Sequence, residues 1–529
     1  MEGEHLEVVL LGLLAGATVL VVLAQVVTVP YPILLVIGGL VLSLTPGLPD
    51  VVLAPELVLL IFLPPLLFSA AFFSSLRDLR ADAQAISSLA IGLVLVTTVT
   101  VAVAAHHVVG LPWAAAFVLG AIVSPTDPVA ATAIAGRLSA PRRVVTIVEG
   151  ESLINDGSAL VAYRFAVTAV VSGSFSVWEA GLEFLVSVAG GAAIGLALGW
   201  LIHRFERWMD DAPTEIFVSL VAAYFAYIPA ELLHVSGVIA AVAAGVYLGW
   251  HSPSLMSPAT RLQAFGLWDV LVFVLNVALF ILIGLQLPVV VQAIEGQSAG
   301  ELLLYAGVIS AAVILTRLAW VFPATWLPRR LSARRRVRDP MPPLGSVFLV
   351  GWIGMRGAVA LAAALAVPLE TEAGAPFPGR NLILFLAFSV ILSTLLLQGL
   401  TLPPLIRRLG LAGQRQDDWR DDEARLRAAE AALARIDELA AEDWVRDDTL
   451  ERLRGLYDYR RRRFAARFDG GTADEDYEAR SAAFQRLRRE LIEAERDAVV
   501  DLRRKGVITE EVMRRIERDL DLEHSRLET

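Results

Sequence analysis

The sequence predicts an all-α polytopic membrane protein. It should hold 13 transmembrane helices with six-helix inverted repeats and two broken helices, followed by a helical cytoplasmic tail. Three observations predict this. First, the 529 residues are 56% hydrophobic and 19% charged, against about 45–50% and about 25% in a soluble globular domain. Second, the charge is uneven. Of 45 basic and 55 acidic residues, 25 and 31 fall in residues 414–529. The first 413 residues hold too little charge to present a surface to water, so they belong in lipid. Third, arginines recur in alternate loops between the apolar stretches.

A spanning helix needs roughly 20 apolar residues. Candidate spans lie near 6–28, 31–47, 52–73, 84–108, 113–135, 144–171, 180–202, 214–233, 236–250, 265–292, 299–327, 344–368 and 381–405. The first has an acidic start (Glu2, Glu4) and no basic flank, so it does not read as a cleavable signal peptide. Arg77 and Arg80 follow span 3, and Arg137, Arg142 and Arg143 follow span 5. Arg204 and Arg207 follow span 7, and Arg261 follows span 9. Arg329, Arg330, Arg334, Arg335, Arg336 and Arg338 follow span 11, and Arg407 and Arg408 follow span 13. The intervening loops are nearly free of arginine, with Arg380 as the exception. Cytoplasmic loops carry the excess of arginine, so the N-terminus is expected outside and the tail in the cytoplasm.

An odd count allows spans 1–6 and 8–13 to be inverted copies separated by span 7. Spans 5 and 12 then correspond, and both carry helix breakers. Span 5 has Ser124-Pro125-Thr126-Asp127-Pro128, and span 12 has Gly351-Trp352-Ile353-Gly354-Met355-Arg356-Gly357. In lipid, interrupted helices persist only where they line a cavity or are buried in protein.

Charge at membrane depth is costly and marks function by default. Span 5 carries Asp127 beside Thr126. Span 6 carries Glu149, Glu151, Ser152, Asn155 and Asp156, with Ser152 and Asp156 on one helical face. Spans 11 and 12 carry Arg317 and Arg356. A carboxyl group deprived of water holds its proton more tightly. It can then hold a proton or a hard cation, but not both. Na⁺ takes oxygen ligands, and Asp156, the Ser152 hydroxyl, the Thr126 carbonyl and Asp127 offer them. Competition at one such site, with access alternating between the two sides, is antiport. The plainer readings are structural hydrogen bonds for the aspartates, an Arg317–Glu151 pair that fixes helix packing, and an Arg356 that binds carbonyls left by the break in span 12. Arg164 is expected to snorkel outward, and Asp269 and Asn276 to orient span 10. Asn276 could also stand behind the cation ligands.

The composition excludes several classes. With no cysteine there is no disulfide scaffold and no thiolate metal site. The net charge of −10 argues against a nucleic-acid partner. His106, His107, His203, His234 and His251 fall near span ends, which argues against haem or a metal cluster in the membrane. No paired catalytic Asp and no Ser–His pair lies at depth, so the reading is a transporter without cofactor and not an enzyme.

Thr126-Asp127-Pro128, Glu151-Ser152-Leu153-Ile154-Asn155-Asp156 and Met355-Arg356-Gly357-Ala358 resemble the monovalent cation/proton antiporters of the NhaP and NHE type. Phe62-Leu63-Pro64-Pro65-Leu66-Leu67-Phe68 and Leu279-Phe280-Ile281-Leu282-Ile283-Gly284-Leu285 extend the likeness. It covers roughly residues 10–410. The resemblance implies a plasma-membrane homodimer in which the broken helices cross and a core of 84–171 and 299–409 moves, elevator-like, against a dimerisation domain of 1–83 and 172–298. It implies Asp156 as the essential carboxylate with Asn155 beside it, Asp127 and Thr126 in the unwound stretch, Ser152 as a ligand, and a Glu151–Arg317 pair. An Asn-Asp pair is similar to the electroneutral branch, hence one Na⁺ for one H⁺. A K⁺/H⁺ antiporter of the same fold and a cation channel are the alternatives, and Li⁺ is a further candidate cargo. Relatives often carry an acidic residue where Ser69 stands. Residues 414–529 are rich in helix formers and predict three or four amphipathic helices, either a solvated appendage or a regulatory element. In that tail Arg460–Arg463 could meet anionic lipid.

Overall fold

The computed structural model describes residues 15–16, 18–23, 31–43, 55–173, 177–209, 211–292, 294, 297–331, 339–413, 418–440, 442, 444–468 and 475–528. Most of span 1, Arg334–Arg336, Arg338 and Gly470-Gly471 lie outside them. The regular elements among the described residues are helices, with one isolated bridge between Glu370 and Pro376. The chain divides into two compact units, Met1–Gln414 and Arg415–Thr529.

The first unit contains α1 (Tyr31–Ser43), α2 (Pro55–Phe73), the short α3 (Leu76–Ala81), α4 (Ala83–Val109), α5 (Trp113–Val123) and α6 (Val129–Arg137). It continues with α7 (Arg142–Ser172), α8 (Val177–Glu206), α9 (Ala212–Leu232), α10 (Gly237–Leu255), α11 (Pro258–Gln292) and α12 (Ala299–Leu331). It ends with α13 (Leu344–Trp352), α14 (Ala358–Leu365) and α15 (Arg380–Arg408). Among the described residues, six helices are long and apolar enough to cross a bilayer: α4, α9, α12, α15, and the stretches 181–206 of α8 and 260–286 of α11.

Local chemistry explains where several helices begin and end. Asp211 accepts from Thr214 N at 3.1 Å to start α9, and Ser236 accepts from Ile239 N at 3.2 Å to start α10. Gly173, at φ 70°, ends α7. Inside α4 the helix loosens to π geometry over Ser88–Leu93, where neighbours claim its carbonyls. The Trp320 indole of α12 donates to Ser88 O at 3.1 Å, and the Ser158 hydroxyl of α7 donates to Ala90 O at 2.6 Å.

The packing is inverted relative to a soluble protein. Leu303 is 73% exposed and Leu182 59%, whereas Asn155, Arg317, Arg356 and Gln398 are fully buried. Apolar faces therefore look outward, as lipid requires, and the polar groups look inward. Small residues let backbones meet. A Cβ at Gly39 of α1 would strike Ile281 O of α11, and one at Gly284 of α11 would strike Val36 O of α1. Gly120 of α5 sits likewise against Thr98 O of α4.

The second unit has α16 (Asp418–Leu439), α17 (Asp447–Phe468), α18 (Glu475–Arg504) and α19 (Glu510–Glu528). Ile492 of α18 packs with Ile516 and Leu520 of α19. Arg488–Glu523 at 2.5 Å and Arg496–Asp521 at 2.7 Å flank that seam.

Gly284→Val should force α1 and α11 apart and cost about 1–3 kcal/mol of stability, read as a lower melting temperature in detergent. Gly266→Ala, where a Cβ meets nothing within 4 Å, should leave that temperature unchanged or raise it.

Candidate functional site

Two helices are interrupted, as the Pro- and Gly-rich segments predict. The line of α5 and α6 breaks over 124–128, and the line of α13 and α14 over 353–357. The breaks meet, because Asp127 N donates to Met355 O at 2.8 Å. Each break exposes the C-terminal carbonyls of one half-helix and the N-terminal amides of the next.

Two buried arginines satisfy the carbonyl ends. Arg317 of α12 donates through Nε at 3.2 Å and Nη2 at 3.1 Å to Val350 O, at the end of α13. Arg356 donates through Nε to Val123 O, at the end of α5, at 3.0 Å, and through Nη1 to Gly354 O. Thus Arg356 serves the break in the opposite helix as well as its own. Its backbone N–H donates to the Thr394 hydroxyl of α15 at 3.1 Å. Gly354 makes room for both side chains, since a Cβ there would lie 2.6 Å from Arg317 Cδ and 3.0 Å from Arg356 Nη1. Asp127 attends to the amide ends. Its Oδ1 accepts from Val129 N at 2.9 Å, at the start of α6, and its carboxylate lies where a Cβ on Gly357 would be.

Helix α7 crosses beside the breaks. Glu151, 1% exposed, forms a two-pronged ion pair with Arg317, to Nη1 and, at 2.8 Å, to Nη2. Thr126 Oγ1 donates to Glu151 Oε1 at 3.0 Å and accepts from Asn155 Nδ2 at 2.9 Å. Asn155 Nδ2 also reaches the Thr126 carbonyl at 3.5 Å. Glu151, Arg317, Thr126 and Asn155 therefore form one buried network.

Asp156 and Ser152 stand apart from it. They are 5% and 7% exposed, and neither side chain has a protein partner among the described residues. Both line a cavity of about 340 Å³, together with Thr126, Asp127, Ser69 and Gly357. The Ser69 hydroxyl is turned back onto Leu66 O at 3.0 Å. The cavity thus gathers oxygen donors around a carboxylate with nothing else to bind, a setting suited to a small hard cation or a proton.

Some residues were not singled out from sequence. Thr394, and Gln398 one turn later, are fully buried on α15. Their polarity within an apolar run was the available signal. Arg164 is not simply turned to solvent, since it pairs with Glu231 at 2.5 Å, and Glu231 also accepts from Gly237 N at 3.0 Å. Asn276 is 4% exposed and lines the cavity, as does the exposed Asp269.

A profile of the family described as "Sodium/hydrogen exchanger, transmembrane" matches residues 11–408. An uncharacterized Na(+)/H(+) exchanger of Mycobacterium tuberculosis is 37% identical, covering 98% of this chain and 96% of the relative. The Na(+)/H(+) antiporter NhaH of Halobacillus aidingensis is 32% identical over 78% of this chain and its own full length. A sodium, potassium, lithium and rubidium/H(+) antiporter of Bacillus pumilus is 35% identical over 75% of this chain and 60% of the relative. The solved structure of the sodium proton antiporter MjNhaP1 from Methanocaldococcus jannaschii shares the fold, with a TM-score of 0.61 at 19% identity, over 77% of this chain and 99% of that one. This multi-pass membrane chain belongs to the transmembrane sodium/hydrogen exchanger family.

Proposed function

We propose that the chain exchanges one Na⁺ for one proton across the plasma membrane, by competition for Asp156. The observation that carries this reading is the division of labour among the buried acids. Glu151 is neutralised by Arg317, Asp127 serves the start of α6, and Asp156 alone of the three has no protein partner among the described residues. One vacant carboxylate that takes either ion moves equal charge in both directions. Ser152, Asp127 and Thr126 complete the oxygen set around the bound Na⁺, and Asn155 holds Thr126 in place.

The position of the cavity supports an inward-facing state. From Asp156 it runs past Thr132, a turn before Arg137, and past Glu149, seven residues after Arg142. It reaches Ser74 just before Arg77, and Asp269, eight residues after Arg261. These are the basic ends of the helices, which face the cytoplasm by the arginine rule. In the other direction an apolar cluster intervenes: Leu63, Leu67, Tyr227 and Val238, with Leu160 and Val359 packed on it. Leu160 and Val359 lie on α7 and α14, while the others lie on α2, α9 and α10. A movement of the core (84–171 and 299–409) against the remaining helices of a homodimer would shear this contact and open the opposite route.

A K⁺/H⁺ exchange at the same site is the second reading. It is favoured by the Bacillus pumilus relative, named for four alkali cations.

In proteoliposomes, Na⁺ should dissipate an imposed pH gradient at a rate that does not change when the membrane potential is clamped. Asp156→Asn should abolish exchange while the protein remains folded by circular dichroism, and retained exchange would remove Asp156 as the carrier. Titrations with Na⁺, Li⁺ and K⁺ decide the cargo, and competition requires the apparent KM for the cation to rise as pH falls. Arg317→Ala should destabilise the protein by about 3–5 kcal/mol, because it strands a buried charge. Thermal melts should show the double change Glu151→Gln with Arg317→Met recovering part of that loss.

A further inference from the structure

The face of α7 that carries Ser152 and Asp156 continues beyond the cavity. Leu160 and Arg164 follow Asp156 at intervals of four residues, which keeps all three on one side of the helix. Arg164 stands two turns past Asp156, about 12 Å along the axis and away from the basic ends. Helix α9 is built in step, with Tyr227 and Glu231 also four residues apart. Leu160 and Tyr227 belong to the apolar cluster that closes this route, with Leu63, Leu67, Val238 and Val359. One turn further out, Arg164 Nη2 donates to Glu231 Oε2 at 2.5 Å. The cation site, an apolar seal and an ion pair therefore follow one another along α7.

Glu231 is anchored on its own side. Its other oxygen accepts from Gly237 N at 3.0 Å, at the start of α10. Gly237 leaves the room for this, since a Cβ there would lie 2.9 Å from Glu231 Cγ. The turn between α9 and α10 is tight: His234 is left-handed at φ 58°, and Val235 N donates to Ala230 O at 3.0 Å. Arg164 and Glu231 are 47% and 29% exposed, and ion pairs open to water are weak enough to break and reform. The buried Glu151–Arg317 pair differs in kind. Both of its partners lie within 84–171 and 299–409, whereas Arg164–Glu231 joins that core to the rest.

We propose that Arg164 and Glu231 are positioning residues that latch the far edge of the core, holding Asp156 toward the tail side until the pair breaks. The proposal rests on the antiport reading with a moving core. A contact made in one orientation only shifts the balance between the two by its own worth. The latch therefore sets the fraction of carriers whose Asp156 is reachable from each side, and with it the apparent affinity on that side. For an exposed ion pair that shift is roughly two- to fivefold.

The chain has no cysteine, so one introduced thiol reports on the seal. Val238→Cys, at a position 1% exposed, is made in the full-length protein, and its reaction with a water-soluble maleimide is timed. Arg164→Gln and Glu231→Gln should each speed the reaction about two- to fivefold. The second keeps an acceptor for Gly237 N. The double change should add nothing further, as residues acting only through each other require, and Arg164→Lys should stay close to the slow rate. In proteoliposomes, without the thiol, the same variants should raise the apparent KM for Na⁺ on the tail side and lower it on the opposite side. Either single variant carries the test if the other does not accumulate. Unchanged labelling and KM overturn the latch, as does a loss confined to melting temperature or an additive double change. In those cases a wild-type protein that exchanges, with an inactive Asp156→Asn, leaves the antiport reading standing. A wild-type protein that exchanges no cation removes both.

Discussion

The structure depends on the need to satisfy the backbone ends of two helices interrupted inside lipid. Each unsatisfied amide or carbonyl there costs several kcal/mol. The chain meets this cost with a few charged side chains placed where they would otherwise be forbidden. Arg317 takes the carbonyl at the end of α13, and Arg356 takes the one at the end of α5. Asp127 takes an amide at the start of α6. The arginines sit against the negative ends of helix dipoles and the aspartate against a positive end. The charges are therefore solvated by backbone, which is why they can be buried at all.

The remaining polar residues follow from that arrangement. A buried Arg317 needs a counter-charge, and Glu151 supplies it. Glu151 has lone pairs to spare, and the Thr126 hydroxyl fills one. Asn155 donates to that same hydroxyl. When these demands are met, Asp156 and Ser152 are left over, on the wall of the cavity. In a soluble protein such a leftover would be bathed in water. Here it lines a cavity inside the membrane-spanning unit, beside Thr126 and Asp127.

Much of this was legible in the sequence, because membrane proteins advertise their organisation. Apolar length, arginine alternation and mid-span Pro and Gly come directly from the cost of putting backbone and charge into hydrocarbon. Helical spacing alone placed Ser152 and Asp156 together. The bond of Arg356 to a carbonyl of its own break was expected, but its reach to Val123 O of the other interrupted helix was not legible, since no local pattern encodes where a long side chain ends. The π geometry at Ser88–Leu93 was hidden for a similar reason: it is imposed by Trp320 and Ser158 from other helices. Thr394 was overlooked because a hydroxyl in a helix usually returns to its own backbone. It does so here, to Val390 O at 2.8 Å, while also accepting from Arg356 N.

The joint between the two interruptions is a main-chain contact, Asp127 N to Met355 O. No side-chain replacement deletes it, except proline at position 127, which lacks the donor. An alanine scan would therefore pass over this hinge pin in silence while reporting every residue around it. This backbone contact between the two interruptions is written in no side chain, and its persistence depends on neighbours such as Arg356 that hold both segments of backbone in register.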